Sequence, residues 1–178
     1  MKTKNKLTAE EFFKLYPEES TVELIEGEVY EMPAPNFKHQ LIVVRILSAL
    51  LKHPEARDRT VPSPIDVVLS ETLVLQPDIV YVSDPSKVRD RIYGSPDLVV
   101  EVVSPSTFKR DITDKMKIYE KHGVKEYWLV FPLEKTIMVY TLTEKGYELF
   151  SYATEKGKVR SGVLEGFELE VEEVFGGL

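Results

Sequence analysis

The chain has 178 residues, 43% of them hydrophobic and 30% charged, which is enough for one domain with a real core. A net charge of −7 argues against non-specific nucleic-acid binding by bulk electrostatics, although it leaves room for a local basic groove. With no cysteine, disulfides and thiolate metal sites are excluded, in keeping with a cytoplasmic home. No apolar stretch approaches the ~20 residues of a membrane span. The start, MKTKNKLTAEEFF, is basic without an apolar segment, so no signal peptide is expected.

Thr8 and Glu11 have the spacing of a capping box, so a short helix should follow and stop before Pro17. In VELIEGEVYEM, Glu26-Gly27 predicts a hairpin turn that pairs Leu24 with Val29 and puts Glu23 and Tyr30 together on the other face. A second helix is predicted over 36–52. Its buried stripe is read as Phe37, Leu41, Val44 and Leu51, widened by Ile42, Ile46 and Leu50. Strands are predicted at 65–69, 72–75 and 78–82, then a polar loop over 84–95. PDLVVEVVSPST supplies a further strand, apolar on both faces. A third helix is predicted over 111–122, closed by Gly123, followed by strands in EYWLVFP, TIMVYTL and 147–152. The tail GFELEVEEVF reads as a short strand or turn. The sum is one α/β domain of α+β character over 1–178, a mixed sheet flanked by few helices.

Glu101 stands in the middle of a valine run. An isolated buried carboxylate is expensive, so it is usually neutralised, paired or placed on a metal. Asp78 opens an earlier strand after Pro77, which fixes the chain entry and has no N–H to satisfy. If the two strands are neighbours, their carboxylates face one another and repel unless a cation sits between them. Hard oxygen ligands suit Mg²⁺ or Mn²⁺.

QPDIV, DLVVEVVSPST and RDITDKMKIYEKHGVKEYWLVFP, in that order, resemble the Uma family of putative restriction endonucleases within the broad PD-(D/E)xK nuclease superfamily. The likeness extends to VELIEGEVYEMPAPNFKHQ and GFELEVEEVF and so covers nearly the whole chain. It implies a restriction-endonuclease-like fold and metal-dependent hydrolysis of DNA phosphodiesters. It places Asp78 and Glu101 as the two acids, with the carbonyl of Val102 as a third metal ligand. The lysine expected two residues after the second acid is replaced by Val103. In such nucleases the lysine can move to the following helix, where Lys115 and Lys117 are available. Ile112, Met116 and Tyr119 form an apolar stripe there. At ~100° per residue Lys115 lies at its margin and Lys117 faces solvent, so Lys115 is chosen.

The accessory residues carry two readings each. Glu23 adds a ligand from the first hairpin or is a solvent-facing strand residue. Asp97 shares a strand face with Glu101, as second support to the site or as a cap at the strand entrance. His39 matches the family's PxPxH region, here PAPNFKH, or is a satisfied histidine at a helix end. Ser104, Ser106 and Thr107 donate to phosphate or form a turn that caps the next helix. Cutting both strands of DNA implies a homodimer. The alternative to a nuclease is a catalytically silent module that binds nucleic acid or protein through the same fold.

Overall fold

The structure is a computed structural model that describes residues 6–18 and 20–178; the basic start of the chain lies outside them. Thr8 caps α1 (Ala9–Leu15) with the full capping box, its N–H donating to Glu11 at 2.8 Å and its hydroxyl accepting from Glu11 N–H at 3.2 Å. β1 (Val22–Ile25) and β2 (Glu28–Glu31) form the expected hairpin. Glu26 and Gly27 turn it at φ 51° and 81°, and Glu23 pairs with Tyr30. Asn36 caps α2 (Phe37–Leu50) by accepting from His39 N–H at 2.9 Å.

Six strands follow: β3 (Thr60–Pro62), β4 (Val67–Ser70), β5 (Leu73–Leu75), β6 (Ile79–Tyr81), β7 (Ile92–Tyr93) and β8 (Leu98–Val102). The chain then winds as a π-helix over Arg110–Lys115 and continues into α3 (Met116–Lys121), with Gly123 at φ 77° ending it. β9 (Glu126–Phe131), β10 (Thr136–Thr143), β11 (Gly146–Thr154), β12 (Lys158–Arg160), β13 (Glu168–Glu170) and α4 (Val171–Phe175) complete the fold. β3, β7 and β12 are two or three residues long, too short for an alternation to register in sequence. The expected loop over 84–95 contains β7, and the tail is a strand that turns directly into a helix.

Two mixed sheets carry the architecture. One has the order β2-β1-β5-β4-β7, the other β11-β10-β9-β8-β6-β3, and β12 and β13 form a separate ribbon. β4 runs parallel to β7 and β8 to β9; the other ladders are antiparallel. Among the described residues, one core cluster joins α2 and α4 to one face of the six-stranded sheet. A second lies on its other face, against α3 and residues of the five-stranded sheet. A third packs α1 on β1 and β5.

The stripe read for α2 is half right: its widening residues Ile42, Ile46 and Leu50 face the core, and its leading edge does not. Ile42, Val43, Ile46 and Leu50 are buried, whereas Phe37 and Val44 are 81% and 55% exposed. An apolar residue sits at almost every position from 41 to 47, so periodicity alone does not pick a face; burying Ile42, Val43, Ile46 and Leu50 against β8 does.

β8 is buried along its whole length, which is why it reads as a continuous apolar run. Its side chains still alternate. Leu98, Val100 and Val102 join the α2 cluster, and Val99 and Val103 join the α3 cluster. Glu101 therefore points toward α3, and its partner must come from there.

Candidate active site at the end of the central strands

β6 begins where β8 ends, because the two run antiparallel with Ile79 opposite Val100. One step further along that register, Asp78 comes opposite Glu101. Asp78 Oδ2 accepts from Val102 N–H at 2.7 Å, which ties the first acid to the end of β8. From the first turn of α2, His39 places Nε2 3.1 Å from the Val102 carbonyl oxygen and 3.3 Å from Asp78 Oδ2. Asp78, Glu101, Val102, His39, Gln76 and Asp111 all line one open cavity of about 440 Å³.

Lys115 sits behind this cavity, not in its lining, and is fully buried. Its Nζ is 2.8 Å from Glu101 Oε1 and 2.8 Å from Glu23 Oε1, with Asp111 Oδ1 at 4.0 Å. Tyr119 also donates to Glu101 Oε1, at 3.0 Å, and Gln76 N–H donates to Glu23 Oε1 at 3.0 Å. The π-wound turn shifts the phase of every residue after Arg110 relative to an α-helix, and it carries Lys115 from the margin of the stripe into the interior. Lys117 is exposed.

The cluster is over-supplied with negative charge. Lys115 faces three carboxylates, and Arg110 adds a cation 3.7 Å from Glu23 Oε2. Glu23 Oε2 and Asp111 Oδ1 are buried without a hydrogen-bond donor. Burial pushes the Glu101 carboxyl well above the usual carboxylate range, against the pull of Lys115. Burial likewise pushes Asp111 up to about 6. For Lys115, burial favours the neutral amine, but Glu101, Glu23 and Asp111 outweigh it and hold the ammonium. Burial works against a charged His39, but Asp78, together with the bonds to Gln40 and the Val102 carbonyl, outweighs it and shifts the imidazole up.

Asp78, Glu101, Val102 and His39 are thus brought to one cavity, and Glu23 and Lys115 to the buried cluster behind it. Asp97 is not brought there. It lies at the opposite end of β8, where it accepts from Ser83 N–H at 2.6 Å and Lys125 Nζ at 2.7 Å and closes the strand entrance. Those bonds, Lys125 foremost, outweigh its burial and hold its carboxyl below the usual range. Ser104, Ser106 and Thr107 line the cavity and also form a turn, with Ser104 Oγ 3.0 Å from Ser106 Oγ and 2.9 Å from Thr107 Oγ1. Asp111, Gln76 and Tyr119 belong to the site although the sequence did not mark them as functional. The four-residue spacing of Asp111 and Lys115 was the one local signal.

Hard oxygens dominate this donor set, which is the chemistry of a small divalent cation. Asp78, Glu101 and the Val102 carbonyl are the groups able to hold one. Among the described residues no three His, Asp or Glu side chains already close on a single point. Asp78 and His39 converge together with a backbone carbonyl, and Glu101 stands back against Lys115 and Tyr119. No helix among the described residues is long and apolar enough to cross a membrane.

The fold has a solved counterpart: a crystal structure described as a putative nuclease belonging to DUF820 from Anabaena variabilis. It superposes with a TM-score of 0.78 at 23% identity, over 95% of this chain and 97% of that one. An uncharacterized protein of Synechocystis sp. is 27% identical over 166 residues, which is 88% of this chain and 84% of that protein. Residues 9–172 match the family Uma2, described as "putative restriction endonuclease". That span takes in both sheets and every residue of the cavity, and the chain belongs to the Uma2 family.

Proposed function

We propose that the protein is a metal-dependent DNA endonuclease, working in the cytoplasm as a homodimer with Mg²⁺ or Mn²⁺. The observation that supports this best is the meeting of Asp78, Glu101 and the Val102 carbonyl at one open cavity, with Lys115 held behind Glu101. A cation held there would polarise a phosphodiester oxygen and lower the pKa of a bound water. The protein's own groups set up that chemistry. Asp78 is aimed by Val102 N–H. Glu101 keeps one carboxylate oxygen on Lys115 and Tyr119, which leaves the other for a ligand. Ser104, Ser106 and Thr107 line the same cavity with their hydroxyls, which can turn toward phosphate.

In this reading Lys115 acts through Glu101: its ammonium fixes and neutralises the acid and does not touch DNA. A lysine that orients the attacking water or stabilises charge on the phosphate would have to leave three carboxylates. The seal around Lys115 also favours the second reading, a silent module that binds nucleic acid or protein without cutting.

Supercoiled, linear and single-stranded DNA incubated with purified protein and Mg²⁺ or Mn²⁺ separates the two. Cleavage that disappears with chelator and in Glu101→Gln supports the nuclease. Salt-sensitive binding without cleavage in either metal supports the silent module.

A further inference from the structure

We propose that His39 is a direct metal ligand, its Nε2 supplying a nitrogen donor to a divalent-cation site shared with Asp78 and the Val102 carbonyl, with Glu101 joining through its free oxygen. The inference rests on the reading of Asp78, Glu101 and Val102 as metal-binding groups and adds a residue that this reading leaves idle.

Three features of the molecule carry it. First, α2 aims the ring. At ~100° per residue, His39 falls between Ile42 and Val43 on the buried face, and it extends past the apolar packing to the end of β8. The Asn36 cap fixes that first turn by bonding His39 N–H. Second, the polar partners of both ring nitrogens are oxygens. Val102 O and Asp78 Oδ2 lie at Nε2, and Gln40 Oε1 lies 3.4 Å from Nδ1. Without metal an Nε2–H serves both oxygens; with the proton moved to Nδ1 and directed to Gln40, the same nitrogen turns a lone pair toward them, and a cation can take the proton's place between the three.

Third, the spacing suits shared coordination. Neighbouring ligands of an octahedral ion with bonds of ~2.1 Å lie ~3.0 Å apart. Nε2 stands 3.1 Å from Val102 O and 3.3 Å from Asp78 Oδ2.

A nitrogen donor changes which metal the site favours. Mg²⁺ and Mn²⁺ both favour oxygen ligands, but Mn²⁺ opens the first-row transition series, whose affinity for nitrogen donors Mg²⁺ does not share. The site should therefore bind Mn²⁺ in preference to Mg²⁺, and replacing the imidazole by an amide oxygen should narrow that preference.

The test uses the full chain titrated with MnCl₂ at neutral pH, followed by calorimetry and by pulsed EPR of the bound Mn²⁺. Wild type should show modulation from a directly coordinated nitrogen, shifted in the predicted way when histidine is ¹⁵N-labelled. His39→Gln and His39→Asn should lose that signal and weaken Mn²⁺ binding at least ~10-fold, the lower end of what even an outer metal partner contributes. Circular dichroism and thermal melting establish that each variant is folded, and either one suffices. If wild type binds no Mn²⁺, or binding persists in Asp78→Asn, the underlying ligand reading fails and His39 with it. If binding needs Asp78 but shows no nitrogen coupling, or is unchanged in a folded His39 variant, the ligand role of His39 alone is overturned.

Discussion

Replacing Lys115 by methionine keeps the stem's volume and removes only the charge. In the native protein that charge lies 2.8 Å from both Glu101 and Glu23, 4.0 Å from Asp111, and shielded from water. Removing one partner of a buried ion pair costs about 3–5 kcal/mol, because the remaining charge is left uncompensated. Here several carboxylates remain, so the upper half of that range is expected. For a chain this long, ~1 kcal/mol lowers Tm by about 2–4 °C, so Lys115→Met should melt at least ~8 °C below wild type near pH 7.5. The loss should shrink at pH 5, where the orphaned carboxyls can take up protons. Adding Glu101→Gln to Lys115→Met should recover part of it, which urea unfolding of the four proteins measures as a coupling energy. A folded Lys115→Met within ~1 kcal/mol of wild type at pH 7.5 would refute the buried cluster as described, since no sealed lysine there could cost so little.

The same cluster sets a pH dependence. Asp111 binds its proton more tightly folded, at about 6, than its ordinary 3.8, so stability rises as pH falls through that window. The shift yields about 1 kcal/mol between pH 7 and pH 5, measured from urea unfolding, and Asp111→Asn should reduce the pH dependence by that share. Glu101 adds in the same direction. Saturating Mn²⁺ should reverse the slope, because a metal takes the deprotonated acids. Tyr119→Phe removes one of two donors to Glu101 Oε1 without changing shape, so it should cost about 1.5–3 kcal/mol of stability and weaken Mn²⁺ binding in calorimetry. Buried Glu126 accepts from Trp128 Nε1 and Ser161 Oγ at 2.7 Å and from Gly162 N–H at 2.5 Å. Glu126→Ala should therefore cost ~3 kcal/mol or more and speed amide exchange at Gly162, while metal affinity stays unchanged.

How far the sequence reaches differs from residue to residue. Glu101 is legible because a carboxylate in an apolar run demands a partner, and Asp78 because a proline-led strand entry brings it to a sheet end. Once the resemblance calls for a lysine on this helix, geometry favours Lys115 over Lys117, but its sealed position is not legible, since the π-wound turn leaves no mark in composition. The Glu23–Lys115 pair joins a strand of one sheet to the helix beside the other, across 92 positions of sequence, and no local pattern records it. Asp97 shows how a parity argument can mislead. Four residues of strand carry it ~13 Å from Glu101, so the same face is not the same site. His39 is marked by the resemblance, and centring the α2 stripe on Ile42, Ile46 and Leu50, with Val43 added, would have aimed its imidazole at the strand end from phase alone.

Anomalous diffraction at the manganese edge from crystals soaked in MnCl₂ tests the central claim most directly. The account predicts one anomalous peak at ~2.1–2.3 Å from a carboxylate oxygen of Asp78, the free oxygen of Glu101 and the carbonyl oxygen of Val102, with Lys115 Nζ still on Glu101 and clear of the metal. An ordered site with no peak there, or a peak bound elsewhere while Asp78 and Glu101 keep their metal-free contacts, would contradict it.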